Sequence, residues 1–417
     1  MEEEEDNDYP ENDNDNNQLN NFWDNKLEEN ASEKIKSLFE KAKNELDNIL
    51  EEFTDNVIKD IKGIKATNQI KSKFNNLNKL PLIPKGNHEL INSVLLCLCN
   101  IDIIRNFCIC AEKEEIYQKM KKENNFFSNF VKFIEELWTV KGKDYKPIVI
   151  TENLKRIMNG DYKTTNPGLI FENILTAIKD ELNPVKLDLS GINNSYIKFD
   201  EQQSKYKFEK KIESNKSLIF KEFFSNMEIK FRCPTNVDIF IYEYSNIPVV
   251  NLYLKSANLQ NISNEEKDIF NNINLKESFS ALLTDQDTKK IECKICNEEQ
   301  NYIVTKRLIK ANKILIININ RKNDEKRDVK LNYEFKYKSE IFWSDENNKN
   351  MEYELVGVII KNNELGGALY TYFKYVQEKK WFVYDHSKVG NIQKVANEKE
   401  IIDPKNAIIL IYENTSI

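Results

Sequence analysis

An α+β fold is predicted for this 417-residue chain, and three observations predict it. Apolar residues recur at helical steps through the first half, and after about Leu187 the texture changes to short runs rich in β-branched and aromatic residues. The two kinds of segment also follow one another instead of alternating, the order expected when helices and an antiparallel sheet form separate layers. Composition agrees: hydrophobic residues make up 40% and aromatics 11%, enough for a core, while 31% charged residues and abundant Asn point to polar insertions or tails.

The elements are read in chain order. Residues 1–30 are acidic and Asn-rich with little to bury beyond Phe22 and Trp23, so a disordered tail is expected. From Ala31 to Ile64 the apolar positions Ile35, Leu38, Ala42, Leu46, Ile49, Phe53, Val57, Ile61 and Ile64 define one long amphipathic helix, started at Ser32-Glu33 and stopped at Gly63. It forms a helical extension over 31–78, packing on the chain's own core or meeting a partner. Leu80 to Pro84 is an extended approach to a helix from Asn87 to Asn100, and helices are predicted again over Asn125–Val140 and Pro167–Leu182. Strand-type runs follow at Leu218–Phe224, Met227–Arg232, Asp238–Tyr244, Val249–Leu254, Leu315–Ile319, Tyr353–Ile360, Tyr370–Val376, Lys380–Tyr384 and Ala407–Tyr412, with a polar insertion over Ser256–Asn274.

Charge and cysteine usage exclude several function classes. The net charge is −7 with no long Lys/Arg block, which argues against nucleic acid as a direct ligand. No run of about 18 apolar residues exists, and the acidic N-terminus does not suit a secretory or transit peptide, so no membrane is expected. The seven cysteines are odd in number and mostly set among apolar neighbours, which suits reduced thiols in the cytoplasm or nucleus.

Five segments carry a resemblance to ubiquitin-specific proteases. Gly86-Asn87-His88-Glu89-Leu90-Ile91-Asn92-Ser93-Val94-Leu95 resembles the family's GNTCYxNSvLQ helix, and Ala311 to Arg321 resembles its lPxiLiixlkR strand. Tyr353 to Ile359 resembles YeLxgVi, Trp381 to Val389 resembles WyxfDDsxV, and Ala407 to Glu413 resembles the closing AYiLfY strand. Their order and spacing agree with the family. The resemblance implies a papain-like cysteine-protease fold of the USP type over 79–416, with a helical thumb (80–185), β fingers (210–300) and a β palm (301–416).

In that family a Cys thiolate at a helix N-terminus attacks an isopeptide carbonyl, a His takes its proton and an Asp or Asn orients the His. Here Glu89 stands in the Cys position and Leu369 in the His position, while Pro84 replaces the side chain that helps to bind the oxyanion. Asp385 alone matches. Glu89 has a structural use as a first-turn carboxylate behind an Asn87 cap, worth roughly 0.3–1 kcal/mol. The chain holds two histidines, His88 and His386, and any Cys–His chemistry would have to use one of them. His386 follows Asp385 in a strand and is expected on the opposite face; a dyad with Cys97 or Cys99 would need a nucleophile deep in an apolar helix.

The resemblance therefore implies a pseudoenzyme: a non-catalytic ubiquitin-binding or scaffold module, the alternative being a divergent active deubiquitinase with an unrecognised nucleophile. Along a cleft for the ubiquitin tail it implicates Asn87, Phe171, Gly366, Gly367 and Tyr370, although of the family's QDAxEFl segment, falling at Thr165 to Phe171, only Phe171 is kept. The expected partners are ubiquitin or a ubiquitin-like protein, and complex subunits meeting the 31–64 helix. In the fingers, where the family holds zinc on two CxxC pairs, Cys293-Lys294-Ile295-Cys296 is intact but the first pair reads Cys233-Pro234-Thr235-Asn236. A metal-free finger is expected, with zinc on Cys233, Cys293 and Cys296 as the alternative.

Overall fold

The apolar spacing read from Asn87 to Asn100 produces α1 (His88–Asn100), whose Ile91, Val94, Leu95 and Leu98 are all buried. This is the first element described in the computed structural model. The structure describes residues 37, 41, 88–111, 125–139, 148–158, 166–183, 201–215, 217–235, 240–253, 287–293, 296, 298–320, 338, 340–344, 350–362, 368–375, 380–387 and 392–416. Those from 88 onward lie in one compact unit, Phe53–Ile417, whereas 37 and 41, both helical, lie in another, Met1–Glu52. The acidic tail (1–30), the rest of the 31–78 extension, the insertion over Ser256–Asn274, Pro84, Asn87, Gly366 and Gly367 fall outside the described residues.

Six more helices follow among the described residues: α2 (Asp102–Ala111), α3 (Phe126–Thr139), α4 (Ile148–Met158), α5 (Pro167–Leu182), α6 (Glu201–Glu213) and α7 (Leu218–Phe223). The start of α3 is closed by a neighbour as well as by Asn125. The Glu181 carboxylate near the end of α5 accepts from the backbone N–H groups of Phe126 (2.9 Å) and Phe127 (2.6 Å), filling donors that a helix leaves unpaired. Leu218 to Phe223 is helical, not the strand its apolar run predicts. Leu218, Ile219, Phe220 and Phe223 are buried there, and in so short an apolar run the period alone does not separate a buried helix from a buried strand.

The strands form two sheets. The smaller, ordered β2-β1-β5-β4, is antiparallel and comprises β1 (Ser225–Arg232), β2 (Phe240–Ile247), β4 (Asp287–Cys293) and β5 (Glu298–Lys310). In the larger, the order β11-β10-β9-β8-β12-β6-β3 is joined by β7 pairing with β8. Its members are β3 (Val249–Tyr253), β6 (Ile314–Asn320), β7 (Glu340–Ser344), β8 (Asn350–Asn362), β9 (Ala368–Tyr375), β10 (Lys380–Asp385), β11 (Ile392–Lys394) and β12 (Ala407–Asn414). All its pairings are antiparallel except β3 with β6. β3 thus belongs to the larger sheet although it precedes half of the smaller one, and β5 carries the smaller sheet past residue 301 as one continuous strand.

Alternation along the large sheet divides two cores. Ile314, Ile316, Ile359, Leu369, Ile409 and Ile411 point into the cluster shared with the helices, while Leu315, Ile317, Val358, Ile360, Leu410 and Tyr412 fill the cluster on the other face. α1 packs on β9 and β8, and its Leu96 meets Phe373 of β9 and Tyr384 of β10 in a small cluster of their own. A third cluster, Phe231, Cys233, Ile241, Cys293, Tyr302 and Val304, lies on one face of the small sheet. At Gly357 a Cβ would sit 3.2 Å from Cδ1 of Ile411, a close approach that glycine keeps open between β8 and β12.

Candidate functional site

Glu89 is the second residue of α1, half-buried in its first turn, and the helix it opens lies against β9. Leu369 is the second residue of β9 and only 4% exposed, packed in the same core cluster as Ile91, Val94, Leu95 and Leu98. Asp385 closes β10 directly across from Tyr370. Leu369 and Asp385 are therefore on adjacent strands, one register step apart, but on opposite faces of the sheet: Leu369 lies beneath the helix that carries Glu89, and Asp385 shares the other face with Tyr370. Leu369, which the sequence resemblance sets at the family's His position, is a sealed aliphatic side chain.

An imidazole adjoins Leu369 across the strand pair, that of His386. The backbone N–H of His386 donates to the Leu369 carbonyl (3.0 Å), which sets His386 opposite Leu369 and, by the rule that facing residues share a side, toward α1. The ring is 3% exposed, its Nε2 lies 2.8 Å from the Thr371 hydroxyl, and its edge meets Tyr384 at 4.7 Å between centroids. Burial pushes its pKa down to about 3, with the Asp385 charge acting weakly the other way. Asp385 itself turns back on the chain: its Oδ1 accepts from the backbone N–H of Ser387 (2.9 Å) and from its hydroxyl (2.6 Å), capping the turn after β10. His386 and Asp385 thus lie on opposite faces, as alternation predicts, but it is Asp385, across from Tyr370, that faces away from α1; cross-strand register, which one strand's alternation cannot report, decides which residue takes which side.

The remaining candidates are distributed as follows. Cys97 and Cys99 are buried in α1, and burial pushes both thiols up, helped at Cys99 by Cys108 and Cys97. Phe171 of α5 is 0% exposed and belongs to the main core, so it offers no surface to a ligand here. Tyr370 is half-buried on the sheet face opposite Leu369, against the second core. The start of α5 is held instead by an asparagine chain. The Asn166 Oδ1 caps the helix by accepting from the Gly168 N–H (2.9 Å) and also accepts from the Asn318 Nδ2 (3.0 Å), which donates to the Asn251 Oδ1 at 2.7 Å. A Cβ on Gly168 would lie 2.6 Å from Cγ of Asn318, which explains a glycine in the first turn of a helix.

At the end of the small sheet, Cys233, Cys293 and Cys296 bring their sulfurs together, all within 4.8 Å of one another. Cys233 stands 4.0 Å from Cys293 and 3.8 Å from Cys296. Zinc bound tetrahedrally at about 2.3 Å from each sulfur spaces sulfurs by about 3.8 Å, so the three thiols fit that ion. Two hydroxyls accompany them. The Thr235 Oγ1 lies 3.1 Å from both the Cys233 and the Cys296 sulfur, and the buried Tyr302 shares a cluster with Cys233 and Cys293. The sequence reading missed Tyr302, which lies outside the cysteine motifs in β5. Its signal was an aromatic residue alternating with Val304 and Gln300 near the cysteine pair.

A family model described as "Ubiquitin carboxyl-terminal hydrolase" matches residues 82–412. Among solved structures, the yeast SAGA DUBm with a mutant Sgf73 is similar at TM-score 0.54 and 15% identity, covering 82% of this chain and 70% of that one. The SAGA DUB module of Ubp8, Sgf11, Sus1 and Sgf73 bound to monoubiquitin gives 0.54 and 14%, and the same module bound to ubiquitin aldehyde gives 0.51 and 16%, with the same coverage. At these identities the likeness speaks for the fold. No curated protein matches the sequence.

Proposed function

Because the chain belongs to the ubiquitin carboxyl-terminal hydrolase family, we propose that it is a non-catalytic member, a ubiquitin-protease-like fold that binds ubiquitin or a ubiquitin-like protein and serves as an interaction module. The observation that carries this reading is Leu369, buried in the core where the family's base has to face a thiolate. Glu89 supports it, because a carboxylate at the head of α1 forms no thioester but does favour a helix N-terminus. The ubiquitin complexes of structurally similar chains support ubiquitin as a ligand, and their multisubunit setting supports a scaffold role in which the 31–64 segment meets other subunits. Zinc, if bound, is held in the fingers, away from these residues.

One observation favours hydrolysis by another nucleophile. Thr371 Oγ1 and His386 Nε2 are 2.8 Å apart, an alcohol beside an imidazole. Thr371 is 0% exposed and His386 3%, however, so an isopeptide carbonyl has no path to the hydroxyl. The test uses purified full-length protein and a ubiquitin probe with a C-terminal vinyl sulfone or propargylamide, alongside a titration with monoubiquitin. Saturable binding with no covalent adduct is expected. An adduct mapping to any residue of the chain would replace the non-catalytic reading with the active one.

A further inference from the structure

We propose that the cavity between α6, α7 and the paired ends of β1 and β5 receives the C-terminal residue of a partner peptide, its carboxylate held by Lys221, Lys310 and Asn226 and its apolar side chain laid on Ile212, Phe220 and Phe224. None of these elements carries Glu89, Leu369 or Asp385, so the site stands whether or not ubiquitin is bound.

The cavity forms where two strands come out of step. Asn226 at the start of β1 pairs with Lys310 at the end of β5, and the register shifts between Asn226 and Met227. Facing residues share a side of the sheet, so the Asn226 amide and the Lys310 ammonium stand together. From the other flank Asn246 of β2 donates its Nδ2 to the Asn226 Oδ1 (2.9 Å). That bond takes the acceptor of Asn226 and leaves its Nδ2 as a donor with no acceptor among the described residues. Asn312 is oriented by the end of α7, its Nδ2 donating to the carbonyls of Phe224 (2.5 Å) and Phe220 (3.4 Å). The same bonds hold Phe220 and Phe224, stacked at 5.5 Å between centroids, as an apolar floor beside Ile212.

Charge selects the head group. Lys221 and Lys310 are exposed at the rim, and neither is ion-paired among the described residues. Glu213 is the one carboxylate among the described lining residues, and the Lys210 Nζ already holds it at 2.6 Å. Glu222, beside Lys221 in α7, takes its larger charge contact from Lys313. Two ammonium groups and an amide N–H are thus offered to an anion above an apolar floor. Size selects the rest. At about 210 Å³ the cavity is smaller than the roughly 300–1,000 Å³ of sites that enclose a drug-sized ligand, so it suits a single residue whose chain runs out over the exposed rim. Asn312 has both Nδ2 hydrogens engaged, which leaves its Oδ1 as the acceptor for an N–H next to the anion. A carboxylate, an apolar side chain and an adjacent N–H together describe the last residue of a peptide, and capture of a terminal carboxylate is a recurring mode of recognition.

The experiment titrates the full-length protein into an N-terminally fluorescein-labelled Gly-Ser-Ala-Leu peptide with a free carboxylate, its C-terminal amide, and a Gly-Ser-Ala-Gly carboxylate, reading anisotropy. The leucine carboxylate is expected to bind saturably. The amide should bind about 10-fold more weakly or worse, having lost the charge-assisted bonds, and so should the glycine peptide, having lost its apolar contact. Lys221→Ala and Lys310→Ala change exposed side chains and should each weaken binding by about 3–10-fold. In competition, 4-methylpentanoate, which lacks the peptide N–H, should displace the probe at least about threefold less well than N-acetyl-leucine. Absence of saturable binding, affinities of the leucine carboxylate and its amide within twofold, or a Lys221→Ala, Lys310→Ala double variant within twofold of wild type would overturn the proposal. Equal competition by the two small acids would mean that the cavity takes free apolar acids, and the peptide would fall as its occupant.

Discussion

His386 is neutral in the folded protein because its ring is sealed against Thr371 and Tyr384, and this makes stability depend on pH in a defined direction. Burial holds its folded pKa near about 3, against about 6.5 for an exposed imidazole. Between those values the unfolded chain takes up a proton that the folded chain refuses. The contribution is therefore complete above about pH 6.5 and shrinks as the pH falls toward 3. Urea unfolding at pH 7 and pH 5 should show the wild type losing about 1–2 kcal/mol from this group, at up to about 1.4 kcal/mol per pH unit. His386→Gln, which keeps a partner for Thr371, should lose correspondingly less over the same interval; equal losses in the two proteins would acquit the ring. Leu369 gives the complementary residue-scale expectation. Trimming it to Ala should cost about 2–5 kcal/mol by the same unfolding measurement, as a core aliphatic does, and an effect below about 1 kcal/mol would mean the side chain is not packed as described. Motif order reads Glu89 on a helix and Leu369 and Asp385 beside two strands, and the structure has them on α1, β9 and β10. Alternation also gives His386 and Asp385 opposite faces, but which of the two meets α1 was not legible, since it depends on the pairing of Asp385 with Tyr370.

Among the elements, the start of α5 shows how three consecutive residues fix a helix start. Asn166, Pro167 and Gly168 meet three demands at once: a side-chain cap, a residue suited to the first helical turn, and room for Asn318. Gly168→Ala would drive a methyl into the Asn318 amide and is expected to destabilise the protein by about 1–3 kcal/mol despite alanine's better helix propensity. Asn318→Ala in the same background should recover part of that loss, because it removes the clashing atoms; a double variant no more stable than Gly168→Ala alone would contradict the packing. The bounds of α5 were readable from sequence for the same local reasons, a cap at one end and i, i+4 apolar spacing through to Leu182. α7 was misread because its information is tertiary: four buried apolar residues in a six-residue helix carry no period long enough to measure. β4 and β5 went unpredicted because Lys289, Lys290, Glu298 and Glu299 dilute their pattern, and hydrogen bonding to β1 and to each other supplies what propensity lacks.

At the scale of the molecule, the large sheet and the helices share one core, while the finger cluster around Tyr302 is separate from it. The two communicate along the strands themselves: β5 has Tyr302 in the finger cluster at one end and Leu308 in the second palm core at the other. Leu369 adds apolar contact to the shared core, whereas the fingers depend on their own few residues. Tyr302→Ala removes the largest side chain of that small cluster and should destabilise the fingers by about 3–5 kcal/mol, the range for truncating a buried aromatic. The cost should be local. Amide exchange is expected to accelerate in β4 and in the distal halves of β1 and β5, with β6, β8 and β12 keeping their protection, because opening that leaves the shared core intact is the cheaper route. If exchange instead rises equally in both sheets, the fingers and palm unfold as one cooperative unit, and a ligand bound at the finger tip would stabilise the whole molecule instead of one end of it.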